Sequence, residues 1–318
     1  MDKLFLFEYA TCGAFAELEP SITVEGMGMF KTLLSGFENV ISFIDSRITG
    51  FDGLPRVGSY EELWGDSLED ADVFLVIAPE SDGELYKLTA GAERSGCQNI
   101  GSNSRAVEVA GDKLATYEAL RGLTIPETQA FNGSASTALD FPLIAKPRDG
   151  VSCEGISLVR DEQELKSVQE GYLLQEYVEG RAASASLLVG DETRILSLNT
   201  QEIENFTYRG GRVPFETDAD CEEIIKAVER IKGLFGYVGV DVILNEHVNI
   251  IEVNPRPTTP IIALNEVYGF NISRLILDNY YREGIPEFKP KKSVLLRKGQ
   301  KRQDSFVSSG DYSIWMEE

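Results

Sequence analysis

The chain has 318 residues, 42% hydrophobic and 26% charged, which is the balance of a globular protein with room for two or three subdomains and a sizeable core. Its net charge of −22 and pI near 4.5 set it against a nucleic-acid phosphate backbone. The single histidine, His247, removes histidine-based nucleophilic triads and His-ligated zinc, so chemistry falls to lysine, arginine, carboxylates, backbone amides and a metal ion.

No apolar run reaches the roughly 18 residues of a membrane span. Residues 1–7 lack the basic start of a signal peptide. Cys12, Cys97, Cys153 and Cys221 are too scattered for a metal pair or a disulfide framework. The expectation is a cytoplasmic protein with neither a nucleic-acid nor a membrane partner.

In chain order, residues 3–7 predict a strand. Residues 22–37 predict a helix, with apolar side chains at Ile22, Met27, Phe30, Leu34 and Phe37. Residues 40–44 predict a strand and 73–77 a buried strand. A helix over 82–95 stops at Gly96, and a short strand follows at 98–101. Strands alternating with helices imply a Rossmann-like parallel sheet over residues 1–103. Ligands of such sheets lie beyond the strand carboxyl ends, so residues 10–16 and 20–29 are candidate walls, with Glu25 foremost. Acidic runs at 61–62, 66–72 and 216–223 read as solvated faces.

From residue 104 the pattern becomes α+β. A helix over 104–121 carries Lys113. Strands at 128–130, 141–147, 155–159 and 172–178, with a helix over 161–169, complete a subdomain spanning 104–180. A second, 181–318, holds strands at 182–189 and 194–203, a helix at 219–235 and a strand pair between 239 and 254. Helices at 261–268 and 272–281 and a strand at 293–297 follow. Residues 289–302 include seven Lys or Arg in fourteen positions, as a lysine-protected edge strand or the closure of an anionic cleft.

The strand pair is the most informative segment. Strand side chains alternate faces, so Glu252 and Asn254 project together, and a turn at 245–248 sets Asp241 opposite Glu252. Two carboxylates and an amide oxygen then converge. They form either an acidic rim or the oxygen shell of a hard cation, Mg²⁺ with Mn²⁺ as the alternative, that also holds nucleotide phosphates.

Residues 142–156 deliver Lys146 from a strand into a loop with Gly150, Ser152 and Gly155, where small residues let backbone amides approach an anion. The loop is neither a Walker loop nor a dinucleotide fingerprint, because a strand rather than a helix follows the glycines. Residues 173–181 run a buried strand through Gln175, Glu176, Tyr177, Val178 and Glu179 into a glycine turn. This is a strand leaving the core, or a hinge whose backbone at Glu176 and Val178 meets an adenine edge.

Taken in order, these segments resemble the ATP-grasp superfamily. Lys113 and Lys146 match its two nucleotide lysines, residues 149–156 its phosphate-covering loop and 175–178 its adenine hinge. Asp241, Glu252 and Asn254 match its metal ligands, and Arg256 the arginine beyond them. The resemblance covers residues 105–285 and implies an ATP-grasp fold behind a Rossmann-like domain. It implies ATP and Mg²⁺ as cofactors and a small-molecule acid and amine as substrates, joined as an amide through an acylphosphate. A homodimer is compatible with it. Arg256 and Lys146, with Arg209 or Arg212 of the Gly-Gly loop between them, are the implied catalytic cations. Ala182 stands where many relatives carry a ribose-binding Glu, which leaves Glu179 or no contact. Gly239 stands where one branch carries an Arg.

A narrower likeness lies in residues 7–10, 20–26, 198–201 and 254–260. They resemble family members that join the γ-carboxylate of glutamate to tyramine in methanofuran assembly. Tyr9 and Phe15 then frame an aromatic amine pocket, or belong to the core. Asn199 and Gln201 share one strand face. The competing expectations are a ligase for another acid and amine, a carboxylating enzyme of purine synthesis, and a nucleotide-binding regulator without turnover.

Overall fold

The computed structural model describes residues 2–150 and 155–318. Its N-terminal part runs β1 (Leu4–Glu8), α1 (Pro20–Leu34), β2 (Val40–Ile41), β3 (Ile44–Asp45), β4 (Arg56–Val57), α2 (Glu61–Asp70), β5 (Val73–Ile77), α3 (Glu84–Glu93) and β6 (Gln98–Asn99). The sheet order is β2-β1-β5-β6, all parallel, as expected for a doubly wound layer. β1 and β5 are buried at every position, as in a sheet covered on both faces. The acidic run 61–70 is a helix, α2, anchored through Ser67 and Leu68 with its acids outward. Charge had masked its 3.6-residue period.

The predicted helix over 104–121 is two, α4 (Ser104–Gly111) and α5 (Lys113–Leu120). Asp112 breaks it: its carboxylate accepts from the backbone N–H groups of Leu114 and Ala115 and caps α5. Lys113 is thereby fixed at the first helical position. Next come β7 (Thr128–Ala130), β8 (Leu143–Lys146), β9 (Ser157–Val159), α6 (Glu162–Leu165) and β10 (Leu173–Glu176), forming an antiparallel sheet ordered β7-β10-β8-β9.

The third sheet carries the hairpin. It is built from β11 (Arg181–Val189), β12 (Arg194–Thr200), β15 (Gly236–Leu244) and β16 (Val248–Asn254), in the order β12-β11-β15-β16. One face, with Ala183, Ala185, Leu187, Val238, Val240 and Val242, packs on α4, α5 and α7 (Glu222–Arg230). On the other face Ser184, Asp241, Glu252 and Asn254 line a cleft, while Leu188 and Tyr237 join the core of the N-terminal layer.

β13 (Glu202–Glu204) and β14 (Thr207–Val213) are a hairpin that sequence periodicity did not separate from the strand before it. α8 (Ile261–Tyr268) and α9 (Ile272–Tyr281) lead to β17 (Val294–Gln300), β18 (Val307–Ser309) and β19 (Tyr312–Glu317), in a sheet ordered β13-β14-β17-β19-β18. The basic segment is therefore an interior strand, paired on both sides, and not an edge. Ile261, Ile276, Leu296 and Ile314 share one core with Phe5, Phe7 and Phe30 of the N-terminal layer. Among the described residues no helix is long and apolar enough to cross a membrane.

Candidate active site

A cleft opens between the N-terminal layer, the β8 loop and the third sheet. Lys113, Lys146, Gly150, Asp241, Glu252, Asn254 and Arg256 all line it.

The carboxylate pair depends on a bulge. The turn is shorter than expected, residues 245–247, with Leu244 paired to Val248 and Val242 to Ile250. Regular pairing from there would put Asp241 opposite Ile251 and send Glu252 to the core face. Instead the register shifts after Val242 and Asp241 pairs with Glu252, with Gly239 opposite Asn254. Ile251 is the extra residue. The burial sequence agrees: Val248, Ile250 and Val253 are buried, while Ile251 and Glu252 are both half-buried.

Asp241 accepts from Gln201 Nε2 at 2.9 Å and from Asn254 Nδ2 at 3.2 Å. Burial, then the like charge of Glu252, pushes its carboxyl up to about 7 against those two donors. The donor set fits a hard divalent cation: every donor is oxygen, the two acids repel, and a cation between them would relieve both burdens. Among the described residues no group of three His, Cys, Asp or Glu is poised to hold a metal. Two acids and one amide is the sparse set that suits Mg²⁺ shared with phosphate oxygens.

The cationic wall faces them. Lys113 Nζ lies 3.6 Å from Glu252 Oε2 and donates to the Gly150 carbonyl at 2.8 Å. Lys146 is buried at the end of β8 and donates to Gln175 Oε1 at 2.9 Å, while Gln175 Nε2 donates to Thr128 Oγ1. Glu176 ends β10 and residues 177–179 follow it outward; none of the four is among the described residues lining the cleft. The Glu176 N–H is taken by the Glu127 carbonyl, Tyr177 is exposed, and the Glu179 carbonyl accepts from Asn245. Val178 is half-buried. Gly155 keeps a positive φ beside Pro147 and Tyr172. Ser152 lies outside the described residues.

Arg256 donates to Glu80 Oε2 at 2.7 Å, and its Nε has no partner among the described residues. Arg209 and Arg212 are not brought to the cleft lining. Arg209 pairs with Glu204 at 3.5 Å, and Arg212 reaches Ser293 at 3.4 Å. Tyr208 takes the cleft position instead, its phenol pushed up by burial and by the carboxylates of Glu25 and Asp241.

The far end is assembled from distant segments. Glu8 ends β1, and Thr11 and Ala10 donate to its carboxylate, whose pKa burial nonetheless raises. Gly26 permits this, since a Cβ there would overlap Glu8. Glu25 accepts from Lys298 of β17 and from Thr259. Phe15, Ile22 and Met29 supply apolar wall. Tyr9 packs edge-on against Phe15 at 4.9 Å and does not itself line the cleft. Glu80, Lys298 and Tyr208 escaped the sequence reading. Glu80 had a signal, since it follows the carboxyl end of a buried parallel strand.

The cleft thus sets paired carboxylates against lysines above an antiparallel sheet. The comparisons agree. Residues 110–260 match the family model of the ATP-grasp domain and 53–107 that of the pre ATP-grasp 3 domain. The chain is 38% identical over 278 residues to a tyramine–L-glutamate ligase of Methanocaldococcus fervens, covering 82% of this chain and 89% of that protein. It is 34% identical over 310 residues to the same-named protein of Methanocaldococcus jannaschii, covering 91% and 92%. A crystal structure of an ATP-grasp superfamily protein from Archaeoglobus fulgidus superposes with a TM-score of 0.85 at 37% identity, over 99% of this chain and 98% of that one. The chain belongs to the ATP-grasp family.

Proposed function

We propose that the protein is an ATP-dependent ligase joining the γ-carboxylate of L-glutamate to the amine of tyramine. The observation that carries the chemistry is the convergence of Asp241, Glu252 and Asn254 opposite Lys113 and Lys146 in one cleft. The substrate pair is supported by the two relatives of that name, which the chain matches over most of its length.

Asp241, Glu252 and Asn254 would hold Mg²⁺, which when bound supplies charge neutralisation at the phosphates. Lys113 and Lys146 would hold the nucleotide phosphates, with the backbone around Gly150 closing over them. A substrate carboxylate oxygen attacks the γ-phosphorus and ADP leaves, giving an acylphosphate. The amine, as the free base, attacks the acyl carbon; phosphate departs and the nitrogen loses its extra proton. No protein nucleophile is required, in keeping with a chain holding one histidine in a hairpin turn. Catalysis is then positioning plus electrostatic stabilisation, with Arg256 placed to meet charge on the transferring group. The acidic, partly apolar end formed by Glu8, Glu25, Phe15, Ile22 and Met29 suits a cationic aromatic amine before deprotonation.

The test is direct. Incubation with Mg²⁺-ATP, glutamate and a panel of amines should release ADP most readily with tyramine, and the product mass should be that of the γ-amide. Release with a different acid or amine alone moves the substrate assignment, and no substrate-dependent release removes the ligase reading.

A further inference from the structure

Two serines on β11 face the cleft side of the third sheet, two positions apart, and the fold treats them differently. Ser186 is engaged: Tyr237 donates to its Oγ at 2.7 Å and Asn199 Nδ2 donates at 3.1 Å. Ser184 lines the cleft, is 3% exposed, and its hydroxyl has no partner among the described residues. Asn199, its neighbour on β12, donates to the Ser184 backbone carbonyl at 3.2 Å and not to the Ser184 hydroxyl. Burying a hydroxyl without a partner costs about 1–3 kcal/mol. Alanine, which occupies the flanking positions 183 and 185, would avoid that cost. Packing therefore gives no reason for this hydroxyl.

Strand register says what it faces. Asn199, Ser184, Asp241 and Glu252 form one row across the four strands. Glu252, at the β16 end of the row, lies 3.6 Å from Lys113. Ser184 lies on the other side of Asp241, about 4.8 Å further along. Gln201, which also lines the cleft, spends an amide hydrogen on Asp241 Oδ1 and so holds that carboxylate in place beside the serine. On the ligase reading, the space there, across Asp241 from Lys113, falls to the group that attacks the γ-phosphorus. A carboxylate attacks with one oxygen and leaves the second in need of a donor.

Resting on the ligase reading above, we propose that the Ser184 hydroxyl donates to the non-attacking oxygen of the substrate carboxylate and orients it for phosphoryl transfer. The attacking oxygen forms its bond to phosphorus as the bond to the bridging oxygen breaks, and ADP leaves with the electron pair. The serine keeps its proton throughout. Ser184 is thus a substrate-positioning residue for the acid, and touches neither nucleotide nor amine.

The experiment compares the full-length wild type with Ser184→Ala and Ser184→Thr, using hydroxylamine as a small amine so that amine binding plays no part. Acid-dependent ADP release gives KM and kcat for glutamate, equilibrium binding gives the affinity for Mg²⁺-ATP without acid, and thermal melting reports the fold. In Ser184→Ala the KM for glutamate should rise about ten- to a hundredfold, the range for a hydrogen bond to a charged group. Mg²⁺-ATP affinity should hold, and the melting temperature should stay level or rise because an unpaired hydroxyl has gone. Ser184→Thr, which keeps the hydroxyl, should recover much of the loss. An unchanged glutamate KM in a folded Ser184→Ala overturns the proposal and leaves the ligase reading standing. Weakened Mg²⁺-ATP binding without acid also overturns it and moves the hydroxyl to the nucleotide. A wild type without acid-dependent ADP release overturns the ligase reading and this assignment together.

Discussion

The two ends of the cleft are built on different length scales. At the cation end, Asp241, Glu252 and Asn254 come from one hairpin, so pairing register alone sets their geometry. At the far end, Glu8 comes from β1, Glu25 from α1, Thr259 from beyond the hairpin and Lys298 from β17. Glu25 and Lys298 are 273 residues apart in sequence. The first end is a local code. The second exists only after the C-terminal sheet has packed on α1. Local geometry should therefore govern turnover and long-range geometry stability, and single substitutions can break that division.

The largest effect should be on folding, at the far end. Lys298 and Glu25 form a mostly buried pair. Lys298→Met leaves a carboxylate without its cation, a change that typically costs about 3–5 kcal/mol. Urea unfolding should show a loss of that order, and adding Glu25→Gln in the same chain should recover part of it. A Lys298→Met protein as stable as wild type would mean that β17 does not hold the acceptor wall.

Turnover should follow at the cation end. Asn254→Ala and Lys146→Ala remove electrostatic contacts of a kind worth about 10²–10³ in rate elsewhere. Single-turnover ADP release measures this. Near-wild-type rates in both variants would remove the proposed site.

Asp241 links the two quantities through pH. Its ordinary value is 3.8, and burial with Glu252 alongside pushes it up to about 7. Between those values the folded, metal-free protein keeps a proton that the unfolded chain has lost. Stability then falls as pH rises through that window, and the full penalty stands above it. With part of the cleft open to solvent, the effect should be on the order of 2 kcal/mol. Melting curves between pH 5 and 8 should slope down for metal-free wild type and flatten for Asp241→Asn. Adding Mg²⁺ should raise the wild type most at the upper end. Equal slopes in both proteins would show that the charge is relieved by other means.

This division also explains what could be read from the chain. Alternation along the sequence puts Glu252 and Asn254 on one face, and Asp241 opposite Glu252. It reached the right pair through a longer turn, because a bulge at Ile251 leaves no signature in hydrophobic periodicity. The parallel N-terminal sheet was legible from its buried runs. Helix α2 was not, because its acids swamped a short apolar stripe. Lys298 read as part of a lysine-protected edge strand or of a segment closing an anionic cleft. Only the pairing of β17 between β14 and β19, with Lys298 against Glu25, turns one lysine of that strand inward.

The smallest effect should come from the two arginines that the Gly-Gly loop suggested. Tyr208 and Arg209 are successive residues of β14 and so point to opposite faces, and Tyr208 takes the cleft face. Arg209 is left with Glu204, a partly exposed pair of a kind worth at most about 1 kcal/mol. Arg212 is exposed near the end of the same strand and reaches Ser293. Arg256, by contrast, is held by buried Glu80 in the cleft wall, and its Nε has no partner among the described residues. Arg209→Ala and Arg212→Ala should each change kcat less than about fivefold, within the reach of such a surface contact. Arg256→Ala should lower it about 10²-fold or more. The three rates, measured side by side at saturating substrate, decide whether charge on the transferring phosphoryl is met by the arginine the hairpin positions. A large loss at Arg209 or Arg212 would instead mean that the β13–β14 hairpin swings over the cleft during turnover.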